Sequence, residues 1–139
     1  MSDAPAAVPA PVRTKRVVIA DDDDDIRGLM TIAANRAGVE IVAAVDNGRA
    51  ALDAVRGGGV DLAVLDISMP GLNGVEVAEA IRSDDLTRST LILMVSASVQ
   101  LLTDHGVVAD RSDSFIVKPF SPRLLSTRIR EMLQLGEPV

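Results

Sequence analysis

The chain contains no cysteine, no tryptophan and no tyrosine, and only two phenylalanines. Without cysteine there can be no disulfide, no thiolate nucleophile and no Cys-ligated zinc. With so few aromatics the core must be aliphatic, and 47% of the residues are apolar, enough to build one. Basic excess is missing too: the net charge is −6. That disfavours nucleic acid as a partner, because its phosphates call for a basic face. No apolar run approaches the roughly 20 residues needed to cross a bilayer. Met1 to Pro11 is rich in Ala and Pro and lacks the basic start and unbroken apolar stretch of a signal peptide. Residues 1–14 therefore read as a flexible tail before one domain over 15–136, expected in the cytoplasm.

What is present is a series of apolar runs, each stopping on a polar group. Val17-Val18-Ile19-Ala20 ends on Asp21 and Asp22, and Val60-Asp61-Leu62-Ala63-Val64-Leu65 ends on Asp66. Leu91 to Val95 ends on Ser96, and Phe115-Ile116-Val117 ends on Lys118. Such near-continuous apolar strands suit a parallel sheet covered on both faces. Between them lie helical patterns, the first with Ile26, Leu29, Met30, Ala33 and Ala37 as its buried stripe. Asp24 or Asp25 can cap that helix at its start, and Gly38 stands where a left-handed terminator belongs. Val39 to Val45 reads as a second strand, Arg49 to Arg56 as a helix, and Val75 to Arg82 as another. A further helix is expected between Val99 and Asp110. The last, from about Pro122 to Leu135, turns Leu124, Leu125, Ile129, Met132 and Leu133 inward. The alternation predicts a doubly wound α/β domain. In such folds the strand ends share one edge, where sites form.

Taken together, Asp21-Asp22, the segment Leu65-Asp66-Ile67-Ser68-Met69-Pro70-Gly71-Leu72-Asn73-Gly74, Ser96-Ala97 and Lys118-Pro119-Phe120 resemble the receiver domain of two-component response regulators. The resemblance covers about Lys15 to Leu135. It implies a flavodoxin-like, five-stranded parallel sheet of order 2-1-3-4-5 with five helices. It makes Asp66 the phosphoacceptor. It places a Mg²⁺ (or Mn²⁺) ion on Asp21, Asp22, Asp66 and the backbone carbonyl of Ser68. Ser96 and Lys118 would contact phosphoryl oxygens, and Ser96 with Phe115 would form the switch. The implied partners are a sensor histidine kinase or histidine phosphotransfer protein and a downstream protein target, with a homodimer possible. Nucleic acid binding and membrane insertion are not expected. The expected product is a stand-alone signalling domain, not an enzyme beyond its own phosphorylation and dephosphorylation.

The chemistry suits these residue types. A carboxylate attacking a phosphoryl group meets like-charge repulsion, so neutralisation and positioning must carry the reaction. Clustered carboxylates suit Mg²⁺, which keeps several waters, and Lys118 offers a compact positive charge. Plain alternatives stand beside each role. Asp23, Asp24 and Asp25 read as solvated capping residues, Ser96 can simply satisfy backbone, and Phe115 can be permanent core. His105 receives no role. Two rival functions are a metal-dependent phosphohydrolase with an aspartyl nucleophile and a receiver-fold binding module that takes no phosphate. The hydrolase commonly carries a second acid two residues after its nucleophile, where this chain has Ser68. Arg111, where family members often have a helix-ending glycine, together with Gly106 and Val107-Val108, predicts a short, shifted or mobile fourth helix.

Overall fold

A computed structural model describes residues 13–98 and 113–136. Five strands form one parallel sheet: β1 (Arg16–Ala20), β2 (Glu40–Val45), β3 (Leu62–Asp66), β4 (Leu91–Ser96) and β5 (Ser114–Val117). Their spatial order is β2-β1-β3-β4-β5, the order that the resemblance implies. The described helices are α1 (Asp24–Ala37), α2 (Gly48–Arg56), α3 (Gly74–Ser83) and α4 (Pro122–Met132). The helix expected between Val99 and Asp110, with His105 and Arg111, lies outside the described residues, as does the tail over 1–12.

Strand alternation sorts the core into two layers. Val17, Ile19, Leu62, Val64, Leu93, Val95 and Ile116 pack beneath α1 and α4, against Met30, Ala33, Leu125 and Ile129. The intervening residues Val18, Ala20, Ala63, Leu65, Ile92 and Met94 pack beneath α2 and α3, against Leu52, Val55, Val77 and Ile81. Every side chain in these rows is aliphatic, as the composition demanded. Fully burying each Leu, Ile or Met contributes about 1.5–3 kcal/mol. The two edge strands, β2 and β5, are largely half-exposed.

Four caps fix where the helices begin. Asp23 accepts hydrogen bonds from the amides of Asp25 and Ile26, so of the three aspartates read as capping residues it is Asp23, and not Asp24 or Asp25, that caps α1. The chain is still extended at Asp23, and Asp24 and Asp25 are already in the first turn, where acids favour the dipole. Gly38 ends α1 in the left-handed conformation, at φ 80°. Asn47 caps α2, and Asn73 forms a reciprocal capping box with Glu76 at α3. Ser121 caps α4, with Pro122 in its first turn. The inward stripe of α4 is narrower than expected, because Leu124 is 48% exposed while Leu125 and Ile129 are fully buried. At 3.6 residues per turn, adjacent leucines point about 100° apart, so only one can face the sheet.

Candidate phosphoacceptor site

Strand register brings the polar ends together. Ala20 pairs with Leu65, so Asp21 and Asp66 stand one step further along at the same level. Asp66 pairs with Val95, and Ser96 with Val117, so Lys118 follows one step past Ser96. The backbone ladder continues beyond the strands: the amides of Asp21, Ile67 and Lys118 donate to the carbonyls of Val45, Val95 and Ser96. These groups are therefore held by rigid neighbours, not by free loops.

The loop after Asp66 is folded back tightly. The Gly74 amide donates to the Ile67 carbonyl at 2.9 Å. A Cβ on Gly74 would lie 2.4 Å from the Asp66 carbonyl oxygen, and one on Gly48 would lie 1.9 Å from that of Leu72. Both positions demand glycine for lack of space, and they clamp the loop between α2 and α3.

At the rim, Asp21, Asp22 and Asp66 each offer a carboxylate oxygen within 4.8 Å of the others. Asp21 is 0% and Asp66 3% exposed, whereas Asp22 is open to solvent. The Lys118 ammonium lies 2.8 Å from Asp21 Oδ2 and 3.5 Å from Asp66 Oδ1. Asp21 Oδ1 accepts the Asp23 amide at 2.9 Å. Its Oδ2 is buried and has no aligned hydrogen-bond donor; the Lys118 contact is a close ion pair and not a directed bond. A buried carboxylate oxygen in that state calls for a further positive ligand. Three carboxylates converging around it fit a hard divalent cation.

Burial above all, and then the Asp21 charge, push the Asp66 carboxyl up to about 6, against the pull of Lys118 and the Ser68 amide. For Lys118, burial opposes the charge, yet the close pairing with Asp21 and the Asp66 charge outweigh it and raise its pKa. Ser68 donates its amide to Asp66 Oδ1 at 3.4 Å, and its side chain is exposed. Ser96 is buried, and its hydroxyl donates to the Ser98 carbonyl and accepts the Ser98 amide, both at 3.1 Å. Phe115, half-buried, packs on the α2/α3 side of the sheet. The Lys118-Pro119 peptide is cis.

Some of the framework was not read from the sequence. Arg27 donates to the Asp21 carbonyl at 2.9 Å while pairing with Asp24, tying α1 to the acidic turn. Arg128 donates to the Phe115 carbonyl at 2.7 Å and to the Ser114 hydroxyl at 2.8 Å. The i,i+3 spacing of Asp24 and Arg27 was visible; the reach to Asp21 was not.

A doubly wound sheet with an acid trio and a lysine at its carboxyl edge defines a class of phosphate- and metal-handling α/β domains. Comparison with known proteins narrows this. The family model for the response regulator receiver domain matches residues 17–130. This chain belongs to that family. It is 31% identical over 123 residues to the DNA-binding response regulator MtrA of Mycolicibacterium smegmatis, across 88% of this chain and 52% of that protein. It is 32% identical over 124 residues to the phosphate regulon regulatory protein PhoB of Pseudomonas aeruginosa, across 89% of this chain and 54% of that protein. The chain thus spans about half the length of these curated relatives. Among solved structures, Thermotoga maritima TrrA, in complex with Mg²⁺-BeF, superposes with a TM-score of 0.75 at 32% identity, covering 86% of this chain and 99% of that one. Vibrio cholerae CheY4 gives 0.76 at 26% identity, covering 86% and 99%.

Proposed function

We propose that this receiver domain accepts a phosphoryl group on Asp66 from a phosphohistidine of a sensor kinase or phosphotransfer protein, with Mg²⁺ (or Mn²⁺) bound, and signals as a stand-alone module through protein contacts. The observation that carries the reading is the convergence of Asp21, Asp22 and Asp66 oxygens within 4.8 Å, faced by the Lys118 ammonium. Asp21, Asp22, Asp66 and the Ser68 carbonyl are the proposed metal ligands. The bound cation supplies Lewis-acid neutralisation of phosphoryl oxygens. Asp66 Oδ2 bonds no donor among the described residues and is the proposed nucleophile, since Oδ1 faces Ser68 and Lys118. With a carboxyl that titrates near 6, most of Asp66 is ionised at pH 7. As the P–N bond breaks and the aspartyl P–O bond forms, Lys118 neutralises one phosphoryl oxygen. Ser96 gives up its bond to the Ser98 carbonyl and donates to another.

That change at Ser96 is the proposed start of the output. Phe115 lies on the same side of the sheet, since Met94, two residues before Ser96, pairs with Phe115. Movement of the hydroxyl towards the rim alters the space around that ring. A phosphoryl group thereby biases a packing equilibrium. The net charge of −6 supports protein partners over nucleic acid. The phosphohydrolase alternative gains nothing from Ser68, which supplies no second acid.

The test is intact-mass analysis after acetyl phosphate with Mg²⁺. Wild type gains one phosphoryl mass and Asp66→Asn gains none; an adduct on both removes Asp66 from this role. The stand-alone part is tested by the mass of the native protein in cell extract, which should match these 139 residues.

A further inference from the structure

The opposite flank of the α1/α4 layer carries a second polar concavity. A cleft of about 610 Å³ opens between α1 and α4, and none of its lining residues belongs to the acidic rim. Its volume lies within the range of about 300–1,000 Å³ usual for small-molecule sites. Three arginines and one glutamate line it, an inversion of sign on a chain whose net charge is −6.

The donors differ in what they already bind. Arg130 is spent on structure: it donates to the carbonyls of Ala37, Leu135 and Gly136 at 2.8, 3.0 and 3.0 Å and floors the cleft. Glu131 is turned to Arg128 at 3.6 Å, which tempers its charge. Arg36 and Arg123 form no ion pair or hydrogen bond among the described residues, and both are exposed. Ser126 lines the cleft, and its hydroxyl, which keeps contact with solvent, has no partner among the described residues. An unbonded hydroxyl open to a cleft flanked by two unpaired guanidinium groups is a donor set that suits an anionic acceptor.

We propose that this cleft binds a small polyanion, with Arg36 and Arg123 supplying charge and Ser126 the oriented hydrogen bond. Guanidinium forks match phosphate and carboxylate oxygens equally, so the shared chemistry is a compact molecule bearing several such groups. The site is separate from the proposed phosphorylation chemistry and does not depend on it.

Calorimetry and backbone amide NMR on the full chain, without Mg²⁺ and at low salt, test this with tripolyphosphate and, separately, citrate. The expected result is saturable binding of at least one probe, with amide shifts centred on Arg36 and on 123–127. The Arg36→Gln/Arg123→Gln pair should weaken it tenfold or more, Ser126→Ala severalfold, and Arg36→Lys/Arg123→Lys less than the Gln pair. Tighter tripolyphosphate binding names a phosphate ligand, and tighter citrate binding a carboxylate one. Lack of saturation at millimolar probe, shifts confined to the rim around Asp66 and Lys118, or unchanged affinity in the Gln pair overturns the proposal. The wild-type shift map decides the matter even if a variant fails to fold.

Discussion

The Lys118 ammonium is closer to Asp21, at 2.8 Å, than to the proposed acceptor Asp66, at 3.5 Å. The lysine thus compensates the most deeply buried acid of the rim and is shared with Asp66. Replacing it by Met leaves two buried carboxylates facing each other. Removing one partner of a buried pair costs about 3–5 kcal/mol. Lys118 is 19% exposed, which lowers the expected loss to about 1–3 kcal/mol for the metal-free protein. Urea titration should show this loss, with Mg²⁺ restoring much of it. An unchanged midpoint would mean that water, not the ammonium, compensates Asp21.

Asp22 separates metal binding from stability. Its side chain is exposed, so Asp22→Ala should change metal-free stability by no more than about 0.5 kcal/mol. Wild type should gain about 2.7 kcal/mol when Mg²⁺ reaches a hundred times its Kd, and the variant should lose most of that gain at the same concentration. Thermal melts across a Mg²⁺ series measure both. Equal gains in the two proteins would take Asp22 out of the ligand set.

Acidity gives a third expectation. The folded Asp66 carboxyl titrates at about 6, against an ordinary 3.8, because burial and Asp21 disfavour its charge. A raised pKa means that the folded protein holds the proton more tightly than the unfolded chain. Its stabilising contribution is complete below about pH 3.8 and is lost as pH rises through about 6. At pH 7 without Mg²⁺, Asp66→Asn should therefore be more stable than wild type by about 1–3 kcal/mol. The difference should shrink towards pH 4. Denaturation of both proteins over that range isolates this group from every other acid, and a flat difference contradicts it.

Two glycines should respond with opposite sign to the same change. Gly74→Ala places a methyl against the Asp66 backbone, which cannot yield as a side chain would. It should cost about 1–3 kcal/mol and shift the Asp66 amide resonance. Gly28, inside α1, has nothing within 4 Å of an added Cβ. Gly28→Ala should stabilise by about 0.5–1 kcal/mol. Chemical denaturation of the two variants makes the comparison.

The strands and the rim were readable because apolar runs and their polar stops are local signals. Asp21, Asp66, Ser96 and Lys118 each close such a run, and parallel pairing then puts the closings side by side. The cap of α1 was narrowed only to Asp23, Asp24 or Asp25, because consecutive aspartates offer equivalent side chains and only backbone geometry selects Asp23. Leu124 was misplaced because a helix stripe read from composition alone does not say which of two adjacent leucines faces the sheet. Arg27 and Arg128 reach carbonyls through long side chains whose targets depend on how helices lie on strands. No spacing rule encodes that. Glycine's part at Gly48 and Gly74 was also hidden, since steric exclusion by a distant backbone leaves no mark in the local pattern.

Alternation along β4 carries a further consequence. Val95 belongs to the layer of α1 and α4 and Met94 to that of α2 and α3, and alternation turns Ser96 to the same side as Met94. Deleting any one residue between Leu91 and Val95 would send the hydroxyl to the wrong side of the sheet without altering a single chemical group. The facing of that hydroxyl is thus a matter of residue count along β4, independent of which aliphatic fills each position.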